Sequence, residues 1–404
     1  MACAVAVLAL LLLQTGQPNA AANGLKALEE QRWDAAIASF SQAVSEDPKN
    51  FVLRFNLAFG YSMAGQTDSA VREYRTVLDL KPGLYEAQLN LGMLLFQLKQ
   101  PQEAATLLEQ AALQKPQEFR PVQYAGEAHL LAGNYPQAIV SFRKSLDLQP
   151  QAVDATLGLA RALAKDGKLT EAEPLFRKAS VASPEVRLEL ATLLEAAGKN
   201  AEAAEIYLSV PDNIAAQERA GELLLESGKA EAAIPGLETA VQKSPTAANR
   251  FALGMAYNVT KKYEKAEPLF AAALQAEPAN AALRMAYARV LRQQRKYAPA
   301  AQEFARVTQA NPKSSEAWSD LAGVLVLLDN YPQALHALDR VRGLGTENPG
   351  HFYLRAIILD RGKVMDGALE SYEKFLSLSQ GKYPDEEFKA RQRIRIIKRE
   401  SDKR

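Results

Sequence analysis

Residues suited to catalysis or metal binding are scarce in this chain of 404 residues. It contains three histidines, His129, His336 and His351, and one cysteine, Cys3. A zinc site needs three or four Cys, His or carboxylate ligands, and no second Cys or His stands at ligand spacing from any of these residues. We therefore expect structural or surface roles for the histidines, no role for the cysteine, and no bound metal.

Sequence motifs for other chemistries are missing as well. The chain has no glycine-rich phosphate loop, no nucleophile elbow and no HExxH pair. Paired carboxylates such as Glu29–Glu30 and Glu386–Glu387 are the remaining candidates for acid–base work, and we interpret them as solvated helix residues. The sequence thus predicts no catalytic residue and no cofactor. An enzyme that uses surface carboxylates is the contrasting possibility.

The charge balance narrows the class of partner. Lys and Arg together number 48 against 47 Asp and Glu, a formal net charge of +1. A helical repeat protein that binds nucleic acid normally carries a basic stripe and a clear positive excess. We therefore expect no nucleic-acid partner.

A small residue returns at one phase of a period of about 34 residues. Its eleven occurrences are Gly24, Ala58, Gly92, Gly126, Ala160, Ala191, Gly221, Gly254, Ala288, Ala322 and Ala356. An alanine stands twelve residues after each of them, at Ala36, Ala70, Ala104, Ala138, Ala172, Ala203, Ala233, Ala266, Ala300, Ala334 and Ala368. Two helices approach closely only where neither presents bulk, so the pattern predicts a repeated helix–helix crossing.

Other positions complete the repeat. A large apolar residue follows the alanine by four positions, as in Phe40, Tyr74 and Phe142, and we expect it to pack into the neighbouring repeat. A proline closes most repeats, because proline cannot continue a helix but suits the start of the next one. A glycine often separates the two helices, where a left-handed helix end requires it; examples are Gly65, Gly133, Gly167, Gly198 and Gly228.

These residues resemble the tetratricopeptide repeat family, whose pattern has small residues at positions 8 and 20, an aromatic at 24 and a proline at 32. The match covers about residues 17–381. The resemblance implies an all-α fold, a right-handed α-solenoid of about eleven helix-turn-helix repeats. The expected repeats are 17–50, 51–84, 85–118, 119–152, 153–183, 184–213, 214–246, 247–280, 281–314, 315–348 and 349–382. The fifth and sixth are short, so we expect irregular stacking around residues 184–213.

The resemblance also implies a function. Proteins of this family act as non-catalytic scaffolds that bind protein or peptide partners on the concave surface, where positions 2, 5, 6, 9, 12 and 13 of the first helix tend to lie. We expect the same of this chain, with the identity of the partner open. The second possibility is a fixed subunit of a cell-envelope assembly, such as a polysaccharide-export or secretion apparatus.

Mapping those positions onto the second and third repeats gives a candidate binding trough. Its residues are Phe55, Asn56, Phe59, Met63, Leu89, Asn90, Met93 and Phe96. The apolar members would bury side chains of a peptide, and the two asparagines would hold its amides through donor and acceptor together. The alternative is that these residues pack between helices.

Two further zones follow from the same mapping. The sixth and seventh repeats give an acidic stretch, either a site for a basic partner or a solvated face: Glu185, Glu189, Glu195, Glu218, Glu222 and Glu226. The eighth and ninth give Phe251, Met255 and Met285, flanked by Arg289 and Arg292.

The N-terminal segment differs from the repeats. Ala2–Leu13 is an uninterrupted apolar run, too short to span a bilayer but of the length found in signal peptides. We interpret residues 1–16 as a signal peptide of an exported bacterial protein, located in the periplasm or at the envelope, with membrane contact only through this segment if it stays uncleaved. No Lys or Arg precedes the run, so an N-terminal helix on the first repeat of a cytoplasmic protein is the alternative.

The C-terminal segment, residues 383–404, also departs from the repeat. Pro384 suits a helix start, acidic residues follow it, and basic residues stand at the end. Ala390, Ile394 and Ile397 fall on one helix face, which predicts a helix that caps the last repeat. A basic amphipathic helix on a membrane or nucleic acid is the alternative.

Overall fold

The structure, a computed structural model, describes residues 19–180 and 183–401, which form 23 helices and no strand. The first helices of the eleven repeats are α1 (Asn19–Glu29), α3 (Phe51–Met63), α5 (Tyr85–Gln97), α7 (Phe119–Ala132), α9 (Val153–Lys165), α11 (Pro184–Ala196), α13 (Ile214–Glu226), α15 (Ala247–Val259), α17 (Ala281–Gln293), α19 (Ser315–Leu327) and α21 (Pro349–Arg361). Their second helices are α2 (Trp33–Glu46), α4 (Thr67–Leu80), α6 (Pro101–Gln114), α8 (Tyr135–Leu148), α10 (Leu169–Ser180), α12 (Asn200–Leu208), α14 (Ala230–Lys243), α16 (Tyr263–Ala276), α18 (Tyr297–Ala310), α20 (Tyr331–Gly343) and α22 (Met365–Ser379). The last helix is α23 (Pro384–Ser401). The predicted all-α solenoid is confirmed.

Polar side chains start many of the first helices. A helix leaves its first backbone N–H groups without partners, and an Asn, Ser or Thr oxygen just before it accepts one of them. Seven side chains do so here, those of Asn50, Ser183, Asn213, Thr246, Asn280, Ser314 and Asn348. The helix starts are therefore fixed locally, within each repeat.

A left-handed residue separates the two helices of every repeat. The five glycines predicted for this role all have positive φ, between 71° and 79°. The other six repeats place a residue with a side chain at the same position, with φ between 54° and 60°: Gln31, Lys99, Lys261, Arg295, Asp329 and Lys363. A residue with a Cβ is strained there, so the packing of the two helices imposes this conformation.

The paired small and large residues form the crossing within each repeat. A Cβ added to Gly126 would lie 3.0 Å from the ring of Phe142, its large partner in the same repeat. The same ring also covers Gly158 of the next repeat, where an added Cβ would lie only 2.4 Å away. The large residue thus packs into the neighbouring repeat, as predicted. It also packs on its own repeat, which the sequence pattern did not predict.

The chain divides into two compact halves, Met1–Lys199 and Asn200–Arg404. The first half has a buried cluster around Tyr74, Leu91 and Leu108, and the second has one around Phe304 and Leu338. Lys199 and Asn200 both belong to the short sixth repeat, whose second helix, α12, has only 9 residues. The boundary therefore falls in the region where the repeat lengths are irregular.

We expect α12 to be the least protected of the second helices. In a repeat protein stability is nearly a sum of repeat and neighbour terms, and a helix of 9 residues contributes few of either. Hydrogen exchange measured by mass spectrometry should show faster exchange in α12 than in α4, which has 14 residues. Equal protection of the two helices would contradict this expectation.

The C-terminal helix packs on the last repeat. In α23 the side chains of Ala390 and Ile397 are buried, and Ile394 is partly buried against a cluster that includes Tyr372 and Phe375 of α22. Arg393 donates from Nε and Nη2 to the two carboxylate oxygens of Asp360 in α21, at 2.7 and 2.6 Å. These contacts place the apolar face of the helix against the repeats.

The predicted signal peptide, residues 1–16, lies outside the described residues. Within the described ranges, no helix is both long enough and apolar enough to cross a membrane.

Candidate functional site

Five of the eight residues of the predicted trough are buried inside the protein. Phe55 and Asn56 are fully buried, and Asn90 is 4% exposed. The ring of Phe55 packs edge-on against Tyr74 with centroids 5.5 Å apart. The Asn56 amide nitrogen donates to the Val52 carbonyl at 2.9 Å, and the Asn90 amide donates to the Tyr74 hydroxyl at 3.1 Å. The two asparagines therefore face the core and are not presented to a peptide.

The remaining members of the trough are graded in exposure. Phe59 and Leu89 are buried, Met93 and Phe96 are partly buried, and Met63 is 38% exposed. Binding by this set stays a prediction, and only its three accessible side chains can contact a partner directly.

A wider groove opens in the first half, beside the predicted trough. It encloses about 590 Å³ and lies along α7 and α9, with Phe96 of α5 and Glu189 of α11 at its edges. Its apolar residues are Leu130, Leu131, Tyr135, Phe142, Leu157 and Gly158. Its charged residues are Glu127, Asp154, Arg161, Lys165 and Glu189. Only Phe96 belongs to both the predicted set and this groove.

The same positional rule points to this groove when it is applied to the fourth and fifth repeats. Glu127, Leu130 and Leu131 are at positions 9, 12 and 13 of α7, and Arg161 and Lys165 are at positions 9 and 13 of α9. A surface pattern of alternating apolar and charged residues did not stand out in the sequence as the aromatic trough did. The sequence thus contained suitable residues at these positions. Which repeats have an open groove beside their first helices depends on the packing of the helices.

A glycine shapes the floor of the groove. Gly158 has no side chain at the point where the Phe142 ring approaches α9, and the buried ring fills that space. Leu131, by contrast, is 52% exposed at the rim. The groove therefore has the buried Phe142 ring at its floor and an accessible apolar wall.

Two carboxylates line the groove without a cationic partner. Glu127 of α7 accepts a hydrogen bond from the Gln123 amide at 3.0 Å. Burial raises the pKa of Glu127 above its usual range, the Gln123 bond opposes this, and the negative charge of Asp154 adds to the rise. In the part of the chain that the structure describes, neither Glu127 nor Asp154 forms a salt bridge. The groove thus holds two carboxylates without a salt bridge, and the charge of Arg161 reaches Asp154 only through longer-range attraction.

The opposite end of the groove carries a closed ion pair. Arg161 donates from Nε and Nη2 to the two carboxylate oxygens of Glu189, at 2.8 and 2.6 Å. This bond raises the pKa of the guanidinium. A second cavity of about 350 Å³ shares Arg161, Lys165 and Glu189 and continues past them to Phe176 and Leu193. The groove therefore extends along α9 towards α11.

The predicted acidic stretch is partly neutralised within each half. In the first half Glu189 is paired with Arg161 as described above. In the second half Arg219 pairs with Glu222 at 2.8 Å, and the Asn249 amide donates to Glu218 at 2.6 Å. Glu189 and Glu222 thus have cationic partners, which weakens the attraction of this stretch for a basic ligand.

The arginines predicted to flank an apolar zone in the eighth and ninth repeats are engaged in packing. Arg289 and Arg292 both bind Asp320 of α19, at 2.8 and 2.7 Å. Met285 is buried, and Phe251 lies against Phe270 with centroids 5.8 Å apart. The two arginines thus join the ninth repeat to the tenth, whereas the Phe251–Phe270 contact lies within the eighth repeat.

A serine and a histidine lie close together in the second half. Nε2 of His351 lies 2.9 Å from Oγ of Ser319, and Nδ1 of His351 accepts the Asn348 backbone N–H at 3.0 Å. Because Nδ1 is an acceptor, the proton is on Nε2 and points at the serine oxygen. The histidine therefore cannot take a proton from Ser319 as a serine hydrolase requires.

The other histidines also have structural surroundings. Nε2 of His129 lies 2.7 Å from Glu109, and His336 packs edge-on against Trp318. Among residues 19–180 and 183–401, no group of three His, Cys, Asp or Glu side chains is placed to hold a metal ion.

His351 should make stability depend on pH. Burial lowers its pKa below the ordinary value of 6.5, so the unfolded chain binds a proton at a pH where the folded protein does not. The stability is fully present above pH ~6.5 and falls as the pH drops through and below that value. Urea unfolding at pH 7.5 and pH 5 should show a smaller decline for His351→Gln, which keeps a capping side chain without a charge. Equal declines would exclude this role.

The solved structures that are similar to this chain are distant from it. No curated protein matches the sequence. Among solved structures, MamA from Desulfovibrio magneticus RS-1 is 19% identical over 40% of this chain and 91% of its own, with a TM-score of 0.38. The structure of Naa15/Naa10 bound to HypK-THB is 14% identical over 93% of this chain and 78% of its own, with a TM-score of 0.41. A tetratricopeptide repeat protein from Parabacteroides merdae is 18% identical over 67% of this chain and 97% of its own, with a TM-score of 0.36. These similarities are too distant to support an argument about partners.

Family models cover more of the chain. One model described as tetratricopeptide repeat matches residues 27–77, 61–125, 260–319 and 291–358, and a second with the same description matches residues 125–185 and 218–282. Together with the eleven helix pairs, these matches show that the chain belongs to the tetratricopeptide repeat family.

Proposed function

We propose that the protein is a non-catalytic scaffold that binds a peptide or protein segment in the groove along α7 and α9. The observation that carries this proposal is a groove of about 590 Å³ with an accessible leucine wall in the first half of a tetratricopeptide repeat protein. Grooves of roughly 300–1,000 Å³ lined by apolar side chains with a few polar groups are typical of binding sites.

The leucines supply the affinity in this proposal. Burial of one leucine side chain is worth roughly 1.5–3 kcal/mol. Leu130, Leu131 and Leu157 line the same cavity, so a single apolar side chain of a partner contacts several of them. The predicted trough contributes Phe96 to this groove, while its other accessible members, Met93 and Met63, lie on α5 and α3.

A peptide-display experiment tests the proposal. A random library of 12-residue peptides is selected on the wild-type protein, and the binding of enriched peptides is then measured to two variants. Leu131→Asp places a charge on the groove wall, and we expect it to weaken binding by at least about tenfold. The matched control is Leu113→Asp in α6, where the leucine is 77% exposed and lies outside the groove.

The control makes the result interpretable. Both leucines are exposed, so neither change should unfold the protein. Peptides that bind the wild type and Leu131→Asp equally well, or a library that yields no enriched peptide, would overturn the groove as the binding site.

We also propose that the protein is exported, on the strength of the apolar run Ala2–Leu13 in the sequence. An exported scaffold fits either a free binding protein or a fixed subunit of an envelope assembly. N-terminal sequencing of the protein from fractionated cells tests export, because a mature chain starting near residue 17 requires cleavage. Elution of the native protein in a stoichiometric complex would favour the assembly subunit.

A further inference from the structure

We propose that the groove along α7 and α9 selects segments that carry a Lys or Arg side chain next to a bulky apolar one. This inference rests on the proposed function and adds the chemistry of the partner. The partner contributes the cation that Glu127 and Asp154 lack, while its apolar neighbour packs on Leu131 and Leu157.

Two carboxylates of the groove are placed to receive this cation. Glu127 and Asp154 come from consecutive first helices and line one cavity. Glu127 is partly buried, its only described hydrogen bond comes from the neutral Gln123 amide, and Asp154 adds like charge. A partly desolvated carboxylate beside a second one gains more from an added cation than an exposed carboxylate does.

Two cations, Arg161 and Lys165, already line the groove. Arg161 is close enough to feel the charge of Asp154, but both of its bonding nitrogens contact Glu189. Lys165 stands eleven residues after Asp154 on the same helix, which is about 16 Å at 1.5 Å per residue. That separation exceeds the Debye length of about 8 Å at physiological ionic strength, so Lys165 does not neutralise Asp154. No cation contributes to the pKa shift of Glu127. The cation must come from the partner.

The groove also favours an apolar residue next to the cation of the partner. The apolar wall, Leu130, Leu131 and Leu157, belongs to the same two helices as the carboxylates. A cation alone would gain little from the exposed Asp154, and an apolar residue alone would leave both carboxylates without a salt bridge. The two features together favour a basic–apolar pair over either one alone.

The test compares peptides and variants in a double-mutant cycle. The probes are an enriched 12-residue peptide and its Lys→Gln (or Arg→Gln) form, measured by fluorescence anisotropy. On the wild type we expect the neutral peptide to bind about tenfold more weakly. On the Glu127→Gln/Asp154→Asn double variant we expect the two peptides to bind alike. Both substitutions preserve side-chain size, and a thermal melt checks that the fold is kept.

Asp147→Asn is the matched control. Asp147 is an exposed carboxylate of α8 outside the groove, so this variant should keep the tenfold preference. If the enriched peptides are acidic or uncharged, or if the double variant retains the preference for the cation, the inference is wrong. If the inference fails but Leu131→Asp still weakens binding, the proposed function of the groove stands. If Leu131→Asp has no effect on binding either, the inference and the proposed function are both wrong.

Discussion

Replacement of Gly158 by alanine is expected to destabilise the first half of the protein, although alanine is the better helix former. The gain in helix propensity is at most ~1 kcal/mol. Against it, the new Cβ would lie 2.4 Å from the Phe142 ring, which is fully buried and cannot move away. Overpacking of this kind costs ~1–3 kcal/mol. The clash therefore outweighs the propensity, and the midpoint of unfolding should fall.

Gly323 provides the matched control for that change. It also lies inside a first helix, α19, but a Cβ added there meets no atom within 4 Å. Gly323→Ala should therefore show the propensity gain alone, roughly 0.5–1 kcal/mol of added stability. Denaturant unfolding, followed by hydrogen exchange to assign the change to one half, compares the two variants. A shift of the same sign in both would mean that the Gly158–Phe142 contact does not control the packing.

Loss of the Arg393 guanidinium is expected to loosen the C-terminal helix. The side chain of Asp360 is 9% exposed, and it accepts hydrogen bonds from Nε and Nη2 of Arg393 and from the Tyr372 hydroxyl, the last at 3.2 Å. Arg393→Met leaves this buried carboxylate without its cation. Breaking a fully buried pair costs several kcal/mol, and because Arg393 is 40% exposed we expect a smaller cost of ~1–3 kcal/mol.

The effect should appear as local opening of α23. A cost of ~1–3 kcal/mol corresponds to roughly 5- to 150-fold faster exchange of its amides, while α19 should be unaffected. Arg395→Met is the control, because Arg395 is exposed on the same helix and has no salt bridge among the described residues. If both variants exchange alike, the Asp360 pair does not hold the cap.

The repeat pattern shows how much of the fold could be predicted. The small residues, the alanines and the prolines each act through local sterics, so their recurrence predicts helix pairs without knowledge of the tertiary structure. Helices begin at residues 51, 85, 119, 153, 184, 214, 247, 281, 315 and 349, where the repeat phase places the starts. The glycines at the helix ends were predictable for the same reason, because only their own backbone is involved.

Six of the left-handed turns could not be predicted in that way. Lys99 and Arg295, for example, adopt positive φ although their side chains disfavour it. The same conformation at the same position in every repeat shows that the crossing of the two helices requires it. Local preference alone would have given a different turn at these residues.

The binding surface depended most on tertiary structure. From the sequence, Asn56 and Asn90 occupy positions that tend to face a groove, yet both amides are buried against Val52 and Tyr74. Whether such a residue is accessible depends on the bulk of the side chains that the adjacent helices place beside it. The sequence alone thus shows which residue types along each first helix could contact a partner. The open groove at α7 and α9 was decided by packing between repeats, because exposure is a property of neighbouring helices and not of a position in one helix.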